Sequence, residues 1–265
     1  MLRRENMVVK SDAAGTMASL QVTLVRPETS DGGQLPAVVL NRGLAGSDAD
    51  IDLMDALAVA MAEARVIAAN LEPRTANLIL DDLNAYSLAH EVGDVLAVVR
   101  AIEALTDVSR GRVGLVGWSI GAVAALDAAA QSSNIARLCL LNPATASLLA
   151  LRSEKPVNGN GGAPLEPLPT AFREPVLART ERELQPPLQQ PLLIVHAAAD
   201  RTLPADSSEE LLACGAAGAE RVLVARADHS FSDPDCRAAC FERLATFLSA
   251  AAAARSQRAS VGAAT

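Results

Sequence analysis

Residues 112–131 read RVGLVGWSIGAVAALDAAAQ. The first six, RVGLVG, form an apolar run typical of a buried strand, and the alanine-rich second half is typical of a helix. Between them, GWSIG at 117–121 fits G-x-S-x-G, a tight, strained turn that projects a serine hydroxyl above a sheet. Glycines on both sides remove the Cβ atoms that would collide there. The motif and its placement predict that Ser119 is a nucleophile; a plain strand-to-helix turn is the structural alternative.

Short apolar runs alternate with longer helical patterns on both sides of this turn. Strands are predicted at Ser19–Pro27, Pro36–Asn41, Val66–Leu71, Arg112–Gly117, Leu138–Pro143, Pro191–Ala197 and Arg221–Ala225, and further helices around Ile51–Ala64 and Tyr86–Leu105. This order predicts an α/β fold in which helices cover both faces of a mostly parallel sheet. The first two strands are expected to pair as neighbours.

The length and composition favour one domain. The chain has 265 residues, and half of them are hydrophobic, which is enough for a continuous core. We assign residues 1–250 to this domain. Residues 146–190 break the alternation with a Gly/Pro/Asn-rich stretch and a charged helical piece, and they are interpreted as a surface excursion or a short lid. The tail 251–265 is expected to be disordered.

A serine nucleophile needs a base, and the base needs an orienting carboxylate. Asp200 follows the strand PLLIVHA, and His229 follows the last strand. Both therefore lie on loops at the sheet edge that carries Ser119, in the chain order Ser, Asp, His. Asp200 could instead cap a helix that begins near Pro204. Three further carboxylates close to His229 are rivals for the orienting role, and they belong to Asp228, Asp233 and Asp235.

Acyl transfer also requires two N–H donors for the developing oxyanion. The amide of Ile120, next to the nucleophile, is one candidate, and the amide of Leu44, in the glycine-rich loop NRGLAGS, is the other. An ordinary tight loop is the alternative for the second position. Of the remaining histidines, His196 is expected to be buried and structural, and His90 to be a solvated or packing residue of a helix.

Charge and composition exclude several functions. The net charge of −8 repels nucleic acid and anionic lipid, and aromatic residues make up 2% of the chain. No apolar run is long enough for a signal peptide or a membrane span, which predicts a cytoplasmic protein. The four cysteines show no disulfide pattern, and a metal site at Cys236 and Cys240 would need further ligands. We expect no metal and no cofactor.

The chain resembles the α/β-hydrolase superfamily, and within it the dienelactone-hydrolase-like and prolyl-oligopeptidase-like serine esterases. The resemblance covers about Ser19 to Ala250 and is carried by PAVVLNRGLAGS, DVSRGRVGLVGWSIGAVAAL, PLLIVHAAADRTLP and ADHSF. It implies that these segments supply the oxyanion loop, the nucleophile turn, the acid and the base. Two positions depart from the family pattern: the oxyanion loop begins Asn41-Arg42-Gly43 where His-Gly is common, and Ala122 replaces a second glycine.

These residues predict a serine hydrolase that cleaves a small carboxylic ester through an acyl-enzyme. Thioesterase, acyltransferase and peptidase activities use the same residues and stay open. A hydrolase with cysteine or aspartate as nucleophile is disfavoured by Ser119. The alternative from another class is a non-catalytic scaffold that binds a ligand. The sequence gives no indication of the oligomeric state.

Overall fold

The computed structural model describes residues 1–28, 33–43, 48–77, 86–145, 170–178, 188–214 and 218–261. Within these residues, eight strands form one sheet in the order β1-β2-β4-β3-β5-β6-β7-β8. The strands are β1 Leu2–Ala13, β2 Thr16–Pro27, β3 Leu35–Asn41, β4 Ile67–Leu71, β5 Val108–Trp118, β6 Ile135–Leu141, β7 Leu192–Ala197 and β8 Ala219–Val224. The six strands from β4 across to β8 run parallel to one another. Strand β2 runs antiparallel to both of its neighbours, β1 and β4.

Helices cover both faces of this sheet. They are α1 Asp48–Glu63, α2 Leu88–Glu103, α3 Gly121–Gln131, α4 Thr170–Leu177 and α5 Pro234–Val261, with 3₁₀ helices at Arg74–Asn77 and Ala205–Cys214. Leu57 of α1 and Leu244 of α5 share one buried cluster, while Val98 of α2 and Leu126 of α3 belong to the cluster on the opposite face. The predicted three-layer α/β fold with a mostly parallel sheet is confirmed.

The expected pairing of the first two predicted strands is wrong. Strand β4 lies between them: it pairs antiparallel with β2, Val22 facing Leu71, and parallel with β3, Ala37 facing Ile67. Consecutive strands joined by a helix commonly lie side by side in a parallel sheet, and β4, which follows β3 through α1, takes the position next to it. The segment between β2 and β3 is long enough to cross the width of one strand.

Strand β1 was not among the predicted strands. This strand pairs with β2 along its whole length, from Leu2 opposite Pro27 to Ala13 opposite Thr16. The two strands are joined by Ala14 and Gly15, which both have positive φ, at 49° and 74°. Two such residues are what a two-residue hairpin turn requires. The alternation of buried and exposed residues is confined to the last part of β1, and the first part is mostly exposed and rich in charged residues. The sequence of this segment therefore lacks the apolar pattern that predicts a strand.

The predicted insertion and tail are described only in part. Within 146–190, the described residues are 170–178, which include helix α4, and 188–190, just before β7. Phe172 of α4 is fully buried and stacks on Tyr86, with 6.3 Å between the ring centroids. Residues 146–169 and 179–187 lie outside the described residues, so a lid remains a prediction. Helix α5 extends to Val261, into the segment predicted to be disordered, and residues 262–265 are not described.

Candidate active site

Ser119 lies in a strained turn between β5 and α3. Its φ is +55°, in the left-handed region that residues with a Cβ seldom adopt. A Cβ on Gly117 would come within 2.7 Å of the Ala122 Cα, and one on Gly121 would come within 2.6 Å of the Asn41 carbonyl oxygen. Both glycines are therefore required by close backbone approach, as the G-x-S-x-G pattern predicts.

The backbone of Ser119 is fixed by the strand next to it. Its amide donates to the carbonyl oxygen of Leu141 at 3.0 Å, and its own carbonyl accepts from the amide of Ala144 at 2.9 Å. These bonds hold the turn, and the residue is half-buried. The backbone of the nucleophile candidate is thus fixed from both sides.

Three predicted residues meet at this turn. The Nε2 of His229 lies 3.0 Å from the Oγ of Ser119, and the Nδ1 of His229 lies 2.7 Å from the Oδ2 of Asp200. A carboxylate only accepts hydrogen bonds, so Nδ1 carries the ring proton and Nε2 of the neutral imidazole is free to accept the serine proton. Ser119, His229 and Asp200 form a continuous hydrogen-bonded chain.

Asp200 is held as an ionised carboxylate. Its Oδ1 accepts from the amides of Thr202 and Leu203 at 2.7 and 2.8 Å, while Oδ2 faces His229. Burial raises the pKa of Asp200, but the imidazoles of His196 and His229 and the Leu203 amide outweigh it, so that its pKa falls well below the usual range. Asp200 does not cap the 3₁₀ helix that begins at Ala205: its Oδ1 binds the turn before that helix, and its Oδ2 faces the imidazole.

Two of the three rival carboxylates make local backbone contacts. Asp228 accepts from the amide of Ser232 at 2.8 Å, and Asp233 accepts from the amides of Asp235 and Cys236 at the start of α5. Asp235 is exposed near the start of that helix. The ring nitrogen of His229 that faces a carboxylate faces Asp200.

The other two histidines lie as follows. His196 is fully buried at the end of β7 and its Nε2 contacts the Leu203 carbonyl oxygen at 2.9 Å, which agrees with a structural role. His90 lies in the first turn of α2, where its Nδ1 accepts from the amide of Ser87 at 3.1 Å. Neither ring approaches Ser119 through a described hydrogen bond.

The oxyanion candidates are only partly described. Ile120 immediately precedes α3, and within the described residues no side chain caps the first turn of this helix. Gly43, with φ +80°, lies so close to α3 that a Cβ there would be 2.5 Å from the Gly121 amide nitrogen. The loop after β3 therefore reaches the site, but Leu44 lies outside the described residues, and its role stays a prediction.

Behind this loop is a buried polar network that the sequence analysis missed. Asn41 donates from Nδ2 to the Glu91 Oε1 at 2.9 Å and to the Gly121 carbonyl oxygen at 3.2 Å, and its Oδ1 accepts from the Gly43 amide. Tyr86 donates to the second oxygen of Glu91 at 3.5 Å. Burial raises the pKa of Glu91 to about 7. Glu91 is an acidic residue on the otherwise apolar face of the predicted helix 86–105, and this position could have indicated a buried polar contact.

Trp118 and Asn142 also surround the site without having been predicted. The Trp118 ring lies 5.1 Å from the His229 ring between centroids, tilted by 37°, so it limits the orientations that the imidazole can take. Asn142 follows β6 and donates from Nδ2 to the His229 carbonyl oxygen at 2.6 Å. Its position at the end of a predicted strand places it at the sheet edge that carries the site. Its hydrogen bond to His229 could not be predicted from the sequence spacing.

The described residues hold no group of metal-ligating side chains, and no described helix is both long and apolar enough to cross a membrane. No disulfide joins the four cysteines, all of which lie within the described residues and are buried: Cys139, Cys214, Cys236 and Cys240.

Comparison with known proteins adds the family. Residues 84–255, more than half of the chain, match the sequence model of the prolyl oligopeptidase family. The chain belongs to the prolyl oligopeptidase family. No curated protein matches its sequence. The match spans the segments that carry Ser119, Asp200 and His229 in this family member.

Solved structures similar to this prolyl oligopeptidase family member share its fold. Est1E from Butyrivibrio proteoclasticus is 17% identical, with a TM-score of 0.67 over 93% of this chain and 99% of that one. A proposed dienelactone hydrolase from Klebsiella pneumoniae is 15% identical, with a TM-score of 0.64 over 94% and 98% of the two chains. An acylaminoacyl peptidase from Pyrococcus horikoshii is 16% identical, with a TM-score of 0.65 over 93% of this chain and 41% of that one. Family and fold together support a serine hydrolase with the α/β-hydrolase fold.

Proposed function

We propose that this protein hydrolyses small carboxylic esters through an acyl-enzyme on Ser119. The observation that carries the proposal is the hydrogen-bonded chain from the Ser119 hydroxyl to His229 at 3.0 Å and from His229 to Asp200 at 2.7 Å. It supplies a nucleophile, a base and an orienting carboxylate in reach of one another. No cofactor enters the proposed reaction.

In the first half-reaction, the Oγ of Ser119 attacks the carbonyl carbon of the ester while the Nε2 of His229 takes the hydroxyl proton. The carbonyl oxygen becomes an oxyanion, for which the amides of Ile120 and Leu44 are the proposed donors. When the intermediate collapses, the bond to the alkoxide breaks and the imidazolium returns the proton to it. The products are an alcohol and an acyl-enzyme on Ser119.

In the second half-reaction, water replaces the alcohol. The water oxygen attacks the acyl carbon while His229 takes a proton from the water. His229 then returns that proton to the Ser119 oxygen when the carboxylic acid leaves. Asp200 stabilises the imidazolium in both halves. Its lowered pKa keeps it ionised throughout the neutral range, so it is available as a counter-ion at each step.

The choice of an ester draws on the structural relatives. One similar structure is named as the esterase domain of a Rhodothermus marinus protein, and the structure of Est1E was also solved with ferulic acid bound. We carry over only the class of substrate, an ester of a carboxylic acid. The proposed partner is therefore a small molecule, and the cytoplasmic location remains a prediction.

The test is hydrolysis of p-nitrophenyl esters of graded acyl-chain length by the wild type, Ser119→Ala and a control, Ser19→Ala. Ser19 is exposed on β2, where its hydroxyl accepts from Lys10 at 2.6 Å, so its loss should leave activity unchanged. We expect Ser119→Ala to lower kcat by about 10³-fold or more. A folded wild type with no activity on any chain length would contradict the ester proposal.

Amide hydrolysis is the second candidate, because the family is that of prolyl oligopeptidase and one similar structure is a peptidase. An ester and an anilide that share one acyl group separate the two. Ester turnover with no measurable turnover of the anilide supports an esterase, whereas Ser119-dependent turnover of the anilide supports a peptidase, because a serine peptidase also cleaves the more reactive ester. Both outcomes keep Ser119 as the proposed nucleophile.

A further inference from the structure

Asn142 lies at the centre of the edge on which the proposed site is built. It directly follows β6, is fully buried and has φ +42°, a left-handed conformation that asparagine tolerates better than most residues with a Cβ. It is neither the proposed nucleophile nor the base or acid.

Its side chain joins the loops that carry the acid and the base. The Nδ2 donates to the His229 carbonyl oxygen at 2.6 Å, and the Oδ1 accepts from the Ala197 amide at 2.7 Å, at the end of β7. Its own amide donates to the Val195 carbonyl oxygen at 2.9 Å. One planar amide therefore connects the start of the Asp200 loop to the backbone of His229.

The same short segment also holds the nucleophile. Leu141, on one side of Asn142, accepts from the Ser119 amide, and Ala144, two residues beyond it, donates to the Ser119 carbonyl oxygen. The loops of Ser119, Asp200 and His229 are thus all bonded to residues 141–144. Described backbone bonds between the His229 loop and the Asp200 loop include one from the Ala199 amide to the Ala227 carbonyl oxygen at 3.0 Å.

We infer that Asn142 is a positioning residue that sets the distance between His229 and Ser119. The inference rests on the proposed function, since it concerns the proton transfer between those two side chains. That transfer needs the donor and acceptor within hydrogen-bond reach, and a displacement of about 1 Å costs roughly 10²-fold in rate. The required side chain has a donor and an acceptor on one short planar group, which asparagine supplies.

Aspartate at this position tests the donor specifically. Asn142→Asp keeps the shape, the tolerance of positive φ and the acceptor for Ala197, but an ionised oxygen then faces the His229 carbonyl oxygen at a hydrogen-bond distance. When that carboxyl is protonated, it donates again. Because burial raises the pKa of such a carboxyl, we expect the kcat to be lower by roughly 10²-fold at alkaline pH, where the carboxyl is ionised, and the KM to be unchanged. The ratio of variant to wild-type kcat should rise as the pH falls.

Two further variants complete the experiment. Asn142→Gly keeps the positive φ and removes both side-chain bonds, so its kcat should be low at every pH. Asn134→Asp is the control, because Asn134 precedes the same strand at its other end and donates to Glu103 at 2.7 Å, far from the site. Its kcat should match the wild type. Thermal unfolding of each variant shows whether it is folded at the assay temperature, and Asn142→Gly decides the matter if Asn142→Asp does not fold.

Labelling of Ser119 by a fluorophosphonate separates the two ways of failing. A wild type that labels and turns over ester, together with Asn142 variants of wild-type kcat, contradicts this inference alone. A folded wild type that neither labels nor hydrolyses any substrate contradicts the proposed function and, with it, this inference. Slow, pH-rescued turnover by Asn142→Asp and slow turnover at every pH by Asn142→Gly support it.

Discussion

Replacing Glu91 by glutamine should make the protein more stable at neutral and alkaline pH. Glu91 is buried in α2, and burial raises its pKa from an ordinary value of 4.5 to about 7; the bond from Asn41 opposes this, and the charge of Asp94 adds to it. Because the folded-state pKa is raised, the stability that the protonated group contributes is present below pH 4.5 and is lost as the pH rises through 7.

The size of the effect follows from that shift. One pKa unit corresponds to about 1.4 kcal/mol, so a rise from 4.5 to about 7 corresponds to about 3 kcal/mol of lost stability once the pH exceeds the folded-state pKa. Glutamine keeps an oxygen that accepts from Asn41 Nδ2 and carries no ionisable proton. The variant should therefore lack this particular dependence on pH.

Urea unfolding of the wild type and Glu91→Gln at several values between about pH 5 and pH 8 measures the effect. The contributions of the other titrating groups are common to both proteins, so they cancel when the unfolding free energy of the wild type is subtracted from that of Glu91→Gln at each pH. We expect the variant to gain about 2 to 3 kcal/mol relative to the wild type across this range. A difference that stays constant with pH, or that changes in the opposite direction, would show that the pKa of Glu91 is not raised by burial.

Three further outcomes are expected. Gly121→Ala should destabilise the protein by about 2 kcal/mol or more in urea unfolding, because its Cβ would lie 2.5 Å from the Gly43 amide nitrogen; wild-type stability would contradict this contact. Asp200→Asn should lower kcat by about 10⁴-fold with the fold retained, because the amide favours the wrong tautomer of the imidazole; a loss below tenfold would argue against the orienting role. Iodoacetamide should label Cys139 and Cys240 only after unfolding, as seen by mass spectrometry, since both thiols are fully buried and burial raises the pKa of each; rapid labelling of the native protein would contradict this.

The parts of the fold that the sequence predicted are those with a local cause. The turn at Ser119 is recognisable from its own motif, and Gly117 is required by contacts with the helix that follows, at Ala122 and Ala125. Asp200 and His229 each follow an apolar run, and the carboxyl ends of parallel strands meet at one edge, so their meeting could be expected. The 2.7 and 3.0 Å contacts agree with that expectation.

What the sequence did not predict depends on contacts between distant segments. Strand β4 lies between β2 and β3, beside the strand that precedes it in the chain. No residue of β2 or β3 indicates this position. Asn142 lies 87 positions from His229, to which it donates, and Glu91 lies 50 positions from Asn41. A buried polar residue can be suspected from an apolar context, but its partner is known only once the chain is folded.

Labelling by a fluorophosphonate, read by mass spectrometry of the digested protein, tests the central claim most directly. We expect one modified residue, Ser119, in the folded wild type, no modification in Ser119→Ala, and much slower modification in His229→Ala. A folded wild type that is not modified, or that is modified at another residue while Ser119 stays free, would contradict the claim that Ser119 is the nucleophile activated by His229.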